Sequence, residues 1–185
     1  MMLHIFRLSL FFSAFLSLAL ACFLIFVLRN GGESNARLLK KCETLPRAKL
    51  PGIVLSAVVI LWCIPNIRPI ISSETLNALL FPLGLLAFLL AVFSLDYLFA
   101  RAFGVFLILL AHYFLKEAYP LDLRLHPLFA FLTLLLGTLG ICICGKPYWM
   151  RDLIRAFFQK PVWRWGASAY FLCYSFSTAF AAFQL

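Results

Sequence analysis

His112 is the side chain whose type and position point most directly to chemistry. It lies in an apolar stretch over 98–114, eleven residues after Arg101. If Arg101 marks one membrane surface, a helical rise of ~1.5 Å per residue places His112 about 16 Å deeper, near the bilayer midplane. Ionisable residues at that depth are rare and face the bundle interior or a cavity. Such an imidazole would serve as an axial haem ligand, a proton relay or a hydrogen-bond donor to a substrate. The bland alternative, which the residue type favours, is a neutral His112 that hydrogen-bonds to a neighbouring hydroxyl or carbonyl and has a structural role only.

Haem is the cofactor that His112 would hold, but the sequence does not favour it. A bis-histidine site needs a second axial ligand, and the other histidines are His4 and His126. Both are predicted near the membrane surface opposite Arg101, so a pair at the midplane cannot be built within the chain. No cofactor is therefore predicted, and haem through His112 remains the weakest alternative.

Further polar residues in or beside apolar segments are candidate contacts to a ligand or a pore: Asn66, Arg68, Asn77 and Lys116. Lys116 follows His112 by one helical turn, so both share a helix face. Pro65 and Pro69 flank the first two candidates and would interrupt a helix. Broken helices with polar residues at the break are typical of transporter sites. The same segment fits a short loop that leaves the membrane.

Sequence patterns for common enzyme chemistry are missing. The chain has no phosphate-binding loop, no HExxH zinc motif and no Gly-x-Ser-x-Gly nucleophile motif. Its seven acidic residues are scattered, so no segment offers paired carboxylates. No catalytic residue and no metal site are predicted, and the chain is not expected to be an enzyme.

The elements that would position these residues are transmembrane helices. Of 185 residues, 64% are hydrophobic and 12% are charged, whereas soluble domains carry about 25% charged residues. A membrane-spanning helix needs about 20 mostly apolar residues. We predict one all-α domain over 1–185, a bundle of about six transmembrane helices. Its predicted spans are about 5–28, 50–66, 76–95, 98–116, 127–144 and 162–183.

The charge distribution predicts how the bundle is oriented. Twelve of the sixteen Lys and Arg residues fall in loops on one side of the predicted membrane. Loops rich in Lys and Arg stay in the cytoplasm. We therefore expect both termini on the non-cytoplasmic side of a multi-pass protein of the bacterial inner membrane.

The basic loops also suggest partners. The net charge is +9, and its placement in short loops favours anionic lipid headgroups over nucleic acid. Over 148–160, apolar residues recur at three- to four-residue spacing, which predicts a short amphipathic helix in the cytoplasmic interface. That helix would dock lipid or a partner, or serve only as a connector. The headgroup candidates are Arg37, Lys40, Lys41, Arg151, Arg155 and Lys160.

Small residues recur in three predicted spans. Close backbone approach at small residues drives helix association in lipid. Such seams pack within the bundle or, on the terminal spans, bind another subunit. The seam residues are Ser9, Ser13, Ser17, Ala21, Gly137, Gly140, Ala169, Cys173, Ser177 and Ala181.

These features favour a non-catalytic integral subunit, or an accessory or scaffold protein, of a larger membrane complex. Short loops and the seams on the terminal spans support that hypothesis. The alternative is a small-molecule transporter or its membrane substrate-binding component. A third hypothesis is a redox anchor subunit that ligates haem through His112.

Overall fold

The computed structural model describes residues 2–29, 39–40, 42–44, 46, 48–67, 74–94, 96–121 and 125–184. Within these ranges the chain has no strand, which confirms the all-helical class. Seven helices of twelve or more residues occur there, one at each predicted segment. They are α1 (Met2–Arg29), α2 (Lys49–Ile67), α3 (Glu74–Ser94), α4 (Leu98–Ala118), α5 (His126–Gly145), α6 (Tyr148–Gln159) and α7 (Pro161–Gln184).

Four of these helices are long and apolar enough to span a membrane: α1, α2, α4 and α5. This composition is compatible with a multi-pass membrane protein. The apolar part of α3 is shorter, over Asn77–Phe93. The remaining long helix, α7, carries Arg164 and a series of hydroxyl side chains. The predicted six crossings thus exceed the four that length and composition support.

The first and last helices run antiparallel. The Ser175 hydroxyl of α7 donates to the Ala14 carbonyl oxygen of α1, 2.9 Å away. Near the start of α1, Phe6 packs in one cluster with Ala181 and Ala182. The start of α1 and the end of α7 therefore lie at the same end of the bundle.

The basic segments meet at the opposite end. Gly52, at the start of α2, contacts Phe99 at the start of α4, and Gly104 of α4 contacts Gly140 of α5. Before α2, Glu43 forms an ion pair with Arg155 of α6. The basic segments that precede α2 and follow α5 therefore share one end of the bundle.

Each end of the bundle contains one apolar cluster that packs its helices together. At the end with the termini, Phe114 and Phe129 are buried with Phe6 and Leu10, which joins α4, α5 and α1. At the basic end, Ala100, Leu107 and Ile143 form a second cluster, against which Met150 and Leu153 of α6 pack.

In contrast, α3 lies at the edge of the bundle. It packs mainly against α2, and none of its side chains described from Asn77 to Phe93 is buried. Asp96 and Tyr97 form the turn into α4, and Tyr97 adopts the left-handed backbone conformation with φ 58°. That conformation is uncommon outside glycine and reverses the chain within two residues.

Candidate functional site

His112 does not face the interior of the bundle. It lies on α4, and its side chain is exposed, as is that of Lys116 one turn later. The buried face of α4 is formed instead by residues that include Gly104, Leu107, Ala111, Phe114 and Ala118. The expected interior position was wrong because depth along a helix does not determine its rotation. His112 follows buried Ala111 directly, about 100° further around the helix.

The other candidate contacts do not join His112 in one pocket. The Asn66 side-chain amide donates to the Trp62 carbonyl oxygen at 2.9 Å, within the last turns of α2. Asn77 lies half-buried in the first turns of α3, and Arg68 lies outside the described residues. Pro65 sits inside α2, which continues to Ile67. The helix therefore passes the first proline instead of breaking there.

Two glycines of α5 lie against α4. A Cβ atom at Gly140 would lie 2.6 Å from the Gly104 carbonyl oxygen, and one at Gly137 would lie 3.1 Å from the Ala111 Cβ. Gly137 and Gly140 belong to the predicted seams, and both face α4. Their partners, Gly104 and Ala111, were not predicted, although their seven-residue spacing on α4 could have indicated them.

The small residues of α1 and α7 lie partly between these two helices. Ser17 and Ala21 are buried on α1, and Ser9 and Ser13 are half-buried. On α7, Ser177 and Ala181 are buried, whereas Ala169 and Cys173 are exposed. A four-residue spacing advances about 40° around an α-helix at each step. A stripe of four such residues therefore drifts from one face to another.

A buried group of hydroxyl side chains between α5 and α7 was not predicted. Thr133, Ser168 and Tyr174 are buried, and the Tyr170 hydroxyl donates to the Leu132 carbonyl oxygen at 2.9 Å. The Tyr174 hydroxyl lies beside that of Thr133, yet neither has a hydrogen bond of good geometry within the described chain. The three- to four-residue spacing of Ser, Thr and Tyr along α7 could have indicated this face.

The candidate headgroup residues lie at the basic end. Arg155 is exposed, and its Nε donates to Glu43 Oε1. That hydrogen bond lowers the pKa of the Glu43 carboxyl and raises the pKa of the Arg155 guanidinium. Lys40 and Lys160 are exposed and Arg151 is half-buried, while Arg37 and Lys41 lie outside the described residues.

No protein-family model, curated protein or solved structure matches the chain. Haem ligation through His112 stays a prediction, with the imidazole exposed on α4.

Proposed function

We propose that the chain is a non-catalytic integral membrane subunit, an accessory or scaffold protein, of a larger membrane complex. In this proposal, α3 is the helix that binds a second membrane protein. The exposure of α3 carries the proposal. None of its described side chains from Asn77 to Phe93 is buried, and it packs mainly against α2.

The outward face of α3 has the character of a helix-binding surface. Leu79, Leu83, Leu86 and Leu90 follow one another at three- to four-residue spacing, and each is at least 47% exposed. This face points away from the α2 contact, which involves Gly84. In lipid, helices associate by side-chain interdigitation as well as by small residues. A partner helix would cover these leucines.

Six crossings are part of the same proposal. The antiparallel α1 and α7, joined by the Ser175 hydrogen bond to Ala14, support an even number of crossings because both termini then lie on one side. The proposal puts the basic end in the cytoplasm of a bacterial inner membrane, since loops rich in Lys and Arg stay on the cytoplasmic side.

In that topology α6 lies in the cytoplasmic interface. Met150 and Leu153 pack against the basic-end cluster, while Trp149 and Arg155 are exposed. Lys146 Nζ lies 5.3 Å from the Trp149 ring centroid. Aromatic and basic side chains together suit the level of the lipid headgroups.

A photo-crosslinking experiment in the native membrane tests the subunit proposal. A photoreactive amino acid replaces Leu86 on α3 or, as a matched control, Phe15 on α1, which is 72% exposed. We expect Leu86 to crosslink to a different protein chain and Phe15 to give lipid adducts. Lipid adducts from both positions, together with a lone monomer in mild detergent, would contradict the proposal.

A labelling experiment tests the topology. In a cysteine-free variant, Gln184→Cys at the end of α7 and Lys160→Cys at the basic end are treated with a membrane-impermeant maleimide on intact cells. We expect Gln184→Cys to react and Lys160→Cys to react only after cell lysis. The reverse pattern would place the basic end outside the cytoplasm.

A further inference from the structure

A cavity opens at the basic end between the start of α2 and the end of α3. Its volume is about 630 Å³. Lys49 and Ile53 of α2 line it on one side, and Val92 and Phe93 of α3 line it on the other. Asp96, in the turn after α3, also lines it. The cavity therefore combines one cationic and one anionic side chain with apolar walls.

A second cavity follows the same pair of helices deeper into the bundle. It measures about 200 Å³ and is lined by apolar residues alone: Ala57, Ile60, Leu61, Ile64, Phe81, Gly84, Leu85 and Phe88. Ile53 of the first cavity and Ala57 of the second are four residues apart and therefore lie on neighbouring parts of one α2 face. Because the two cavities follow one another along the same pair of helices, we treat them as one groove, the α2–α3 groove.

The length of this groove matches one acyl chain of a lipid. From Ile53 to Ile64, eleven residues of helix rise about 16 Å. Half of the hydrocarbon core of a bilayer is about 15 Å. The apolar part of the groove thus extends from the headgroup level to the midplane, the depth that an acyl chain of one leaflet occupies.

Two charged side chains at the open end of the groove indicate which lipid headgroup would bind there. Lys49 and Asp96 are both exposed, and neither forms an ion pair with any residue in the described part of the chain. A lipid phosphate needs a cation, and a primary ammonium needs an anionic acceptor. The two side chains complement a headgroup that carries both charges, and an anionic headgroup would leave Asp96 without a counter-charge.

We propose that the α2–α3 groove binds one phospholipid with a zwitterionic, primary-amine headgroup of the phosphatidylethanolamine class. Lys49 contacts its phosphate, Asp96 accepts hydrogen bonds from its ammonium, and one acyl chain lies between Ala57 and Gly84. The site shares the membrane setting of the proposed function but does not depend on a partner subunit.

Lipid binding to the purified full chain in detergent tests this site. Phosphatidylethanolamine, phosphatidylglycerol and phosphatidylcholine with identical acyl chains are titrated, and bound lipid is counted by native mass spectrometry. We expect phosphatidylethanolamine to bind about tenfold more tightly than either of the others, since hydrogen bonds to a charged group are worth that much. Asp96→Asn should remove this preference, and Lys49→Gln should weaken all three lipids. Equal binding of the three lipids, or an unchanged preference in Asp96→Asn, would overturn the proposal.

A matched pair of substitutions tests the acyl groove. Ala57→Phe fills it, whereas Ala87→Phe adds the same ring to α3 at an exposed position outside both cavities. Thermal unfolding confirms that each variant is folded, so that lost binding is not mistaken for lost structure. We expect Ala57→Phe alone to weaken phosphatidylethanolamine binding by about tenfold. Equal effects of both variants, or none from Ala57→Phe, would contradict the assigned groove.

Discussion

The α4–α5 pair and the α2–α3 pair differ in how closely their helices approach. Gly104 and Gly140 bring α4 and α5 together so closely that a Cβ atom on either would lie under 3 Å from the backbone of the other helix. At Gly84 of α3, a Cβ atom would meet only side-chain atoms of α2, those of Ile60 at 3.4 Å and of Ile64 at 3.5 Å.

The contrast between the two pairs separates the tightly packed part of the bundle from the part that is open to ligands. Helix pairs in lipid are held by close backbone approach and by interhelical hydrogen bonds. The α4–α5 pair has paired glycines and buries Ala111, Leu132 and Ile143. The contact between α2 and α3 contains one glycine, Gly84, and leaves a groove, and α3 keeps its outward leucines exposed. We therefore expect ligands and partners to bind at α3, and the contact between α4 and α5 to contribute more to the stability of the bundle.

The largest expected effect is that of Gly104→Ala. Its Cβ would lie 2.7 Å from the Gly140 carbonyl oxygen and 2.8 Å from the Cys144 nitrogen. Backbone atoms cannot rotate away, so the helices must separate, at a cost of about 2 kcal/mol. Thermal unfolding in detergent measures the loss. Gly84→Ala is the matched control, and we expect it to raise stability by about 0.5 kcal/mol through helix propensity. Equal effects at the two glycines would remove the distinction between the pairs.

Gly52→Ala tests the contact of α2 with α4, on the side of α2 that faces away from α3. A Cβ atom at Gly52 would lie 2.8 Å from the Phe99 backbone nitrogen, so α2 is predicted to be fixed to α4 although it holds α3 loosely. We expect a loss of about 1 kcal/mol in the same unfolding assay. A neutral result would mean that α2 moves with α3 instead of with α4.

Ser175→Ala extends the comparison to α1 and α7. It removes the interhelical hydrogen bond to the Ala14 carbonyl oxygen, and such bonds contribute about 0.6 kcal/mol in membranes. Ser177→Ala is the control, because that hydroxyl donates to Tyr174 within its own helix. In unfolding measurements, the loss of stability should be smaller for Ser175→Ala than for Gly104→Ala and larger than for Ser177→Ala. A Ser177→Ala effect as large as that of Ser175→Ala would argue against the interhelical bond.

The smallest effect is expected at the ion pair between Glu43 and Arg155. Its hydrogen bond lowers the pKa of Glu43 in the folded protein. The stabilisation is therefore complete above the usual carboxyl pKa and is lost as the pH falls through the lowered value. Unfolding temperatures of the wild-type chain and of Glu43→Gln should differ slightly at pH 7 and converge in acid. If the difference in unfolding temperature grew in acid, the ion pair would not stabilise the folded protein as predicted.

The helices themselves could be predicted from the sequence. Long apolar stretches and their polar breaks mark where helices begin and end, because apolar length alone decides which segments lipid can solvate. Gly137 and Gly140 could be placed in a contact face because a glycine three residues from another lies on the same side of a helix. Their partner Gly104 could not be chosen, since several spans contain small residues.

The position of His112 shows the limit of such predictions. Its depth follows from counting residues after Arg101, but the face of α4 that it occupies depends on which helices cover that face. Ala111, beside it in the chain, is buried. The regular spacing of Gly104, Ala111 and Ala118 would have indicated the covered face and placed His112 outside it.

The helical class, the apolar segments and the concentration of positive charge in two loops follow from the amino-acid sequence alone, because each depends on composition along the chain. The folded arrangement was needed to show that α4 and α5 pack closely, that α1 lies along α7, and that α3 lies at the edge with a groove beside it. Those outcomes depend on which surfaces complement one another, and complementarity is a property of pairs of helices and not of one segment.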